Sequence, residues 1–183
     1  MAAWTIEGFA IVSDDDRIAD ASGAMPKTLR NEADSRAFQA GLDRMDAIAL
    51  GRRSHAVTAN RTGRLRIVVS STADGLERRT DGWWWNPATV ETSEMLARIL
   101  PEGGAVGVPG GRDVFDLFLA HGYTRFHLTR AHGVTLPGGV AVFSACDHGQ
   151  TAEDVLAASG MAAGDPHVLD EANSVVLTEF IRP

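Results

Sequence analysis

Residues 104–122 join an apolar strand pattern to a helix pattern through a pair of glycines. Residues 105–108 are apolar, and a Pro-Gly-Gly sequence at 109–111 interrupts the run. From Val114 onward, apolar residues recur at helical spacing until Gly122 ends the pattern. The stretch therefore predicts a buried strand that enters a helix through a tight turn.

A turn of this kind is suited to binding phosphate. Glycine has no Cβ, so the backbone at Gly110 and Gly111 can approach a ligand closely. The N–H groups that open the helix, at Arg112, Asp113 and Val114, and the positive end of its dipole favour an anion. An ordinary strand-to-helix turn has the same sequence, so both interpretations stay open here. The G-x-G-x-x-G fingerprint of Rossmann folds is not matched.

Composition limits the classes of function. At 183 residues the chain has about the length of one domain, and we expect a single domain over residues 1–183. The net charge of −7 disfavours nucleic-acid and acidic-membrane binding, which rely on a basic surface. Cys146 is the only cysteine, and no apolar run approaches the roughly 20 residues that cross a bilayer. We expect a cytoplasmic protein without a signal peptide.

Hydrophobic periodicity predicts strands and helices along the whole chain. The predicted strands cover residues 4–13, 47–50, 65–71, 105–108, 124–129 and 174–181, with a further short one at 89–91. The predicted helices cover residues 31–45, 93–100 and 151–159, besides the one after the glycine pair. Residues 14–23 are predicted to be an exposed loop, and residues 81–87 a turn.

Two unusual runs receive no catalytic role. The three aspartates at 14–16 are predicted to be solvated, because adjacent carboxylates cannot converge easily on one metal ion. The three tryptophans at 83–85 are predicted to pack mainly in the core. At least one of them is expected on an exposed side, where a homodimer contact would fit.

The helix predicted at 31–45 carries the carboxylate of greatest interest. Asn31 is suited to the N-cap, and Ala37, Phe38 and Leu42 belong to an apolar face. Asp34 falls on or beside that face. A carboxylate in the first turn also favours the helix dipole, so its role is not decided by position alone.

Five arginines fall within fifteen residues of this acidic chain: Arg52, Arg53, Arg61, Arg64 and Arg66. A guanidinium pairs with phosphate or carboxylate through two parallel hydrogen bonds. These residues flank predicted strand ends, where ligands collect in open α/β sheets. A solvated basic surface is the alternative.

The six histidines show neither H-x-x-x-H nor H-E-x-x-H spacing, so no metal site is predicted. No nucleophile-elbow pattern surrounds Cys146, which favours a structural cysteine.

The ordered set of motifs resembles the dihydrofolate reductase superfamily, which includes RibD-type reductases of riboflavin biosynthesis. The resemblance rests on Ala24-Met25-Pro26 followed by Asp34 and Phe38, on Gly51-Arg52-Arg53-Ser54, on Gly63-Arg64, and on Val108-Pro109-Gly110-Gly111. It implies a three-layer α/β fold with a mixed, mostly parallel central sheet flanked by helices.

The resemblance also implies NADPH as cofactor and a small heterocyclic substrate. It assigns catalysis to Asp34 and substrate binding to Phe38, Arg64 and Thr129. The residues that it assigns to the cofactor are Arg52, Arg53, Ser54, Ser71, Gly110, Gly111, Arg112, Asp113 and Val114.

Three functions remain open on these motifs. The first is hydride transfer to a pterin-type heterocycle. The second is a RibD-type reduction of a phosphorylated aminopyrimidine, because residues 13–22 and 45–48 resemble those reductases, although no deaminase zinc motif is present. The third is a non-catalytic nucleotide-binding protein, because Asp20 and Lys27 replace a glycine and a tryptophan usual in dihydrofolate reductases.

Overall fold

The computed structural model describes residues 3–183. The strands are β1 Trp4–Val12, β2 Arg17–Ala19, β3 Ala47–Gly51, β4 Arg66–Val69, β5 Leu76–Arg79, β6 Gly82–Trp85, β7 Gly104–Val108, β8 Arg125–Ala131, β9 Val140–Ala141, β10 Ala162–Ala163, β11 His167–Asp170 and β12 Val175–Ile181. The helices are α1 Glu32–Leu42, α2 Arg52–Val57, α3 Thr92–Ile99, α4 Arg112–His121 and α5 Ala152–Ala158, with a 3-10 helix at Ser144–His148.

The main sheet has the order β10-β12-β8-β1-β7-β3-β4-β6-β5, with β11 paired to β12. The six strands from β8 to β6 in this order are all parallel. Antiparallel pairs lie at both edges, where β12 joins β8 and β5 joins β6. The expected α/β class, with a mixed and mostly parallel sheet flanked by helices, is confirmed.

Helices cover both faces of the sheet. Because side chains alternate along the central strands, each strand contributes residues to the core on either face. On β3, Ala49 packs into the larger core together with α3 and α4 residues such as Leu96 and Phe118. Ile48 and Leu50 point the other way and pack against Leu42 of α1. No helix within residues 3–183 has the length and apolar character needed to cross a bilayer.

The tryptophan run differs from its prediction. Residues 82–85 form strand β6 rather than a turn, and β5, which was not predicted, completes a hairpin with it. Trp85 is buried, while Arg78 and Arg79 lie over the rings of Trp83 and Trp84, at 5.6 and 4.1 Å from the ring centroids. The strand predicted at 89–91 is a turn. The arginines cover apolar rings that the sequence pattern could not assign to a face.

The predicted solvated loop at 14–23 is also wrong in part. It contains β2, which pairs with β9, and its aspartates bond the backbone of neighbouring segments. Asp14 and Asp15 accept the N–H groups of residues 133 and 136, at 2.7 and 2.9 Å. Asp16 is only 7% exposed and pairs with Arg130 at 2.7 Å. Arg130 also binds Glu153 at 2.6 Å.

We expect the Asp16–Arg130 pair to contribute strongly to stability. Arg130→Met should lower the free energy of unfolding by about 3 kcal/mol, because it leaves the Asp16 carboxylate buried without its cation. Arg98→Met removes an exposed pair with Glu94 and should change stability by under about 1 kcal/mol. Urea unfolding at neutral pH measures both; equal losses would contradict the assignment.

Candidate functional site

The carboxyl ends of the parallel strands meet at one edge of the sheet, and a cavity of about 580 Å³ lies there. Its wall includes Asp34 and Phe38 of α1, Phe9 of β1, Ser54 of α2, and Gly111, which precedes α4. The sequence predicts a catalytic role for Asp34, substrate binding for Phe38, and cofactor binding for Ser54 and Gly111. The structure thus brings members of each predicted group to one cavity.

Asp34 lies in the first turn of α1. The Asn31 side chain caps this helix and accepts the Asp34 N–H at 3.0 Å. The carboxyl group is half-buried on the cavity wall, and burial raises its pKa above the ordinary value. The hydroxyl of Thr129, buried on β8, opposes this rise in pKa because it favours the charged form. A carboxyl held between these influences is suited to exchanging a proton with a ligand.

Phe38 follows Asp34 by one helical turn and forms an aromatic wall beside it. Its ring meets Phe9 edge to face, with centroids 6.2 Å apart. Phe9 stacks in turn on the ring of His127 at 4.4 Å, and His127 is fixed by Glu7 at 2.8 Å. The wall is therefore apolar towards the cavity and held from behind by a buried polar pair.

Arg64 lies in an adjoining cavity of about 490 Å³, which also includes Phe38 and Arg61. Its guanidinium binds Asp43 at 2.5 Å and the side-chain oxygen of Gln39 at 2.9 Å. Arg64 is thus engaged by the end of α1 rather than free to meet a ligand carboxylate. That contact was not foreseen from the sequence.

The glycine pair provides an open approach to the start of α4. The Gly110–Gly111 peptide is cis, and a Cβ at Gly111 would meet no atom within 4 Å. A Cβ at Gly110 would come within 2.8 Å of Phe115. The first N–H groups of the helix, at Arg112 and Asp113, have no acceptor inside it. Space and donors for an anion are therefore both present.

Val114 contributes differently from its neighbours. Its side chain is buried, and its N–H donates to the carbonyl of Gly111 at 3.0 Å. A direct ligand contact by this residue is not supported by the geometry.

The other predicted cofactor residues lie along the same edge. Gly51 pairs with Val69 in the parallel β3–β4 ladder, so the residues that follow both strands are neighbours. Arg52 follows Gly51 directly, and Ser71 lies two residues beyond the end of β4; both are exposed. Arg53 is exposed beside Arg52, while Ser54 faces the cavity.

A carboxylate that was not predicted joins two parts of the site. Asp147 accepts hydrogen bonds from Arg17 of β2 and, at 3.1 Å, from Arg112 of α4. The Arg17 hydrogen bond is the main cause of the lowered pKa of Asp147. Next to Arg17, Ile18 and Ala19 line the cavity. No local sequence pattern indicates this link, because its three members are far apart in the chain.

Cys146 is buried, and burial raises its pKa to about 11, which disfavours a reactive thiolate. Within the described range, 3–183, His, Cys, Asp and Glu side chains form no group of three that could hold a metal ion.

No protein-family model and no curated protein matches the chain. Solved structures do. A dihydrofolate reductase from Enterococcus faecalis, complexed with NADP(H) and RAB-propyl, gives a TM-score of 0.67 at 18% identity, covering 97% of this chain and 96% of its own. A diaminohydroxyphosphoribosylaminopyrimidine deaminase/5-amino-6-(5-phosphoribosylamino)uracil reductase from Thermotoga maritima gives 0.66 at 16% identity, covering 99% of this chain and 57% of its own.

A protein from a Shewanella species, described as a riboflavin biosynthesis protein, gives a TM-score of 0.63 at 16% identity, covering 98% of this chain and 99% of its own. The chain therefore has the dihydrofolate reductase-like fold that its motifs predicted, and this fold is shared with RibD-type reductases. The structural similarity shows the fold alone at these low identities, and the assignment of a reaction rests on the site.

The half-buried Asp34 carboxyl should reduce stability at neutral pH. Since its pKa is raised on folding, the folded state binds the proton more tightly, and stability falls as pH rises from 3.8 through the higher folded pKa. Asp34→Asn should therefore unfold at a higher urea concentration than the wild type at pH 7. The difference should vanish below pH 3.8. A pH-independent difference would contradict this account.

Proposed function

We propose that this protein is an NADPH-dependent reductase that transfers a hydride to a pterin-type heterocycle. The observation that carries the proposal is the position of Asp34. A half-buried carboxyl with a raised pKa faces the cavity that also receives the glycine pair before α4. One cavity thus combines a proton-exchanging group with a phosphate-compatible helix start.

The residues at the edge of the sheet fit a nicotinamide dinucleotide. Gly111 leaves open space beside the first N–H groups of α4, which would hold the pyrophosphate. Exposed Arg52, Arg53 and Ser71 would hold the 2′-phosphate of the adenosine ribose. When bound, the cofactor supplies the hydride.

The chain's own residues would orient the substrate and manage the proton. Phe38 and Phe9 offer apolar surface to a flat ring. Asp34 would hydrogen-bond the ring and favour its protonation next to the bond being reduced, while Thr129 keeps the carboxyl oriented. Of the described residues, neither Asp20 nor Lys27 lines this cavity, which favours an enzyme over a non-catalytic nucleotide-binding protein.

Asp34→Asn tests this role. It should lower kcat by about a hundredfold at neutral pH, and activity should recover partly in acid, where the substrate takes its proton from solvent. NADPH affinity should scarcely change. Glu32→Gln is the matched control, because Glu32 lies in the same turn with a side chain 97% exposed. If both variants lost activity equally, or if Asp34→Asn were fully active, the carboxylates would serve only the helix dipole.

Arg52→Ala tests the cofactor assignment. A charge-assisted hydrogen bond is worth about 1.5 to 3 kcal/mol, so NADPH should bind roughly ten- to a hundredfold more weakly. NADH, which lacks the 2′-phosphate of the adenosine ribose, should bind as before. Fluorescence titration with both cofactors measures the difference, with Arg98→Ala as a distant control. Equal losses for NADPH and NADH would overturn the assignment.

A RibD-type reduction of a phosphorylated aminopyrimidine is the second candidate. The engagement of Arg64 by Asp43 favours it, because the arginine that would bind the folate carboxylate already has an anionic partner. NADPH oxidation with dihydrofolate, dihydrobiopterin and the aminopyrimidine separates the candidates. Activity with the aminopyrimidine alone would assign the second function. No turnover of any of the three, despite NADPH binding, would favour the non-catalytic protein.

A further inference from the structure

A separate cavity of about 590 Å³ lies where strands β4 and β6 begin, at the end of the sheet opposite to the carboxyl ends of these strands. It is bounded by α2, by the loop that leads into β4, and by the β5–β6 hairpin, and it includes the first residues of β4 and β6, Arg66 and Gly82. Its volume is within the range of small-molecule sites. His55, Arg78 and Asp81 line this cavity, while neither of the two cavities near Asp34 includes them.

Arg66 is a buried cation without a carboxylate partner. The residue is 7% exposed. One of its terminal nitrogens donates to the carbonyl of Thr58 at 2.8 Å and to Nδ1 of His55 at 3.1 Å. Across residues 3–183, no carboxylate oxygen lies within 4.0 Å of its guanidinium nitrogens. Buried charges are normally paired, so this arrangement favours an anion from outside the chain.

The nearest acid, Asp81, is directed elsewhere. Since a guanidinium can only donate, Nδ1 of His55 accepts from Arg66, and Nε2 then donates to Asp81 at 2.7 Å. The second Asp81 oxygen accepts the indole N–H of Trp84 at 3.0 Å. Burial, and next the charge of Arg64, lower the pKa of Arg66 more than Asp81 raises it. The positive charge is therefore incompletely balanced.

A second guanidinium group faces the same cavity. Arg78 is exposed on β5, is held over the Trp83 ring, and forms no ion pair with any residue in 3–183. Arg64 also lines the cavity wall, but its terminal nitrogen is engaged by Asp43 and Gln39, and only its buried Nε has no acceptor. Arg66 and Arg78 together match the several oxygens of a phosphate.

We propose that this cavity binds the phosphate group of a small organic phosphate, through Arg66 from within and Arg78 from the rim. The site is distinct from the cavity of Asp34 and does not depend on the reductase function. Arg66 and Arg64 also border the 490 Å³ cavity, so Arg78, which does not, is the residue that distinguishes the two.

Inorganic phosphate is the probe, titrated into the full chain and followed by NMR. The indole N–H signal of Trp84, which reports on Asp81 and His55, should shift and saturate. The indole signal of Trp4, bonded to Leu100, should stay in place. Arg78→Gln should weaken phosphate binding by about tenfold. Arg79→Gln is the matched control, because this neighbour pairs with Glu77 and should leave the affinity unchanged.

A second measurement uses Arg66→Met and thermal unfolding. Phosphate should raise the melting temperature of the wild type more than that of the variant, because Arg66→Met removes the contribution of this cavity to mass action while the start of α4 is unchanged. If Arg66→Met does not fold, the Arg78→Gln titration decides alone. Non-saturating shifts shared by Trp4 and Trp84, or equal affinity in Arg78→Gln and Arg79→Gln, would overturn the proposal.

Discussion

Every candidate functional residue depends on six strands running in the same direction. Parallel strands place their carboxyl ends along one edge, so segments distant in sequence become neighbours there. The ladder that pairs Gly51 with Val69 brings Arg52 near Ser71, and the β1–β7 and β3–β7 pairs bring the glycine turn beside them. Helix α1, packed on one face through Leu42, then sets Asp34 above this edge. The direction of the strands therefore determines which side chains come together at the site.

Much of this arrangement could be predicted because its signals are local. The strand and helix around Gly110 and Gly111 are indicated by periodicity and turn chemistry, and Asn31 indicates the start of α1 as an N-cap. The parts that could not be predicted depend on distant partners. The sequence around Asp16 predicts an exposed loop. Asp16 is buried instead, because Arg130 on the distant strand β8 supplies its ion-pair partner. The segment with the tryptophans of β6 is predicted to be a turn. Its partner strand β5 is short and highly charged, so the sequence does not indicate the hairpin.

The arginine-rich segment shows why residue type alone does not assign a ligand. Arg52 is exposed near the predicted cofactor phosphates, Arg64 is bound by Asp43, and Arg66 is buried at the opposite edge. All three share one sequence pattern and differ in what surrounds them. Helix α2 and the loop at 58–65 separate Arg52 from Arg66, because they carry the chain from the carboxyl end of β3 to the start of β4. Their roles therefore depend on their position along this connection.

The carboxylate of Asp147 links two elements that lie next to the cavity, β2 and α4. It holds Arg17 and Arg112 together, so the strand that bears Ile18 is tied to the first residue of α4. An anion arriving at the start of α4 competes with Asp147 for the Arg112 guanidinium. Coupling of this kind is reciprocal. If anion binding weakens the Arg112–Asp147 contact, that contact lowers the affinity for the anion by the same factor. Anion binding at the start of α4 and the Arg112–Asp147 contact are then thermodynamically linked.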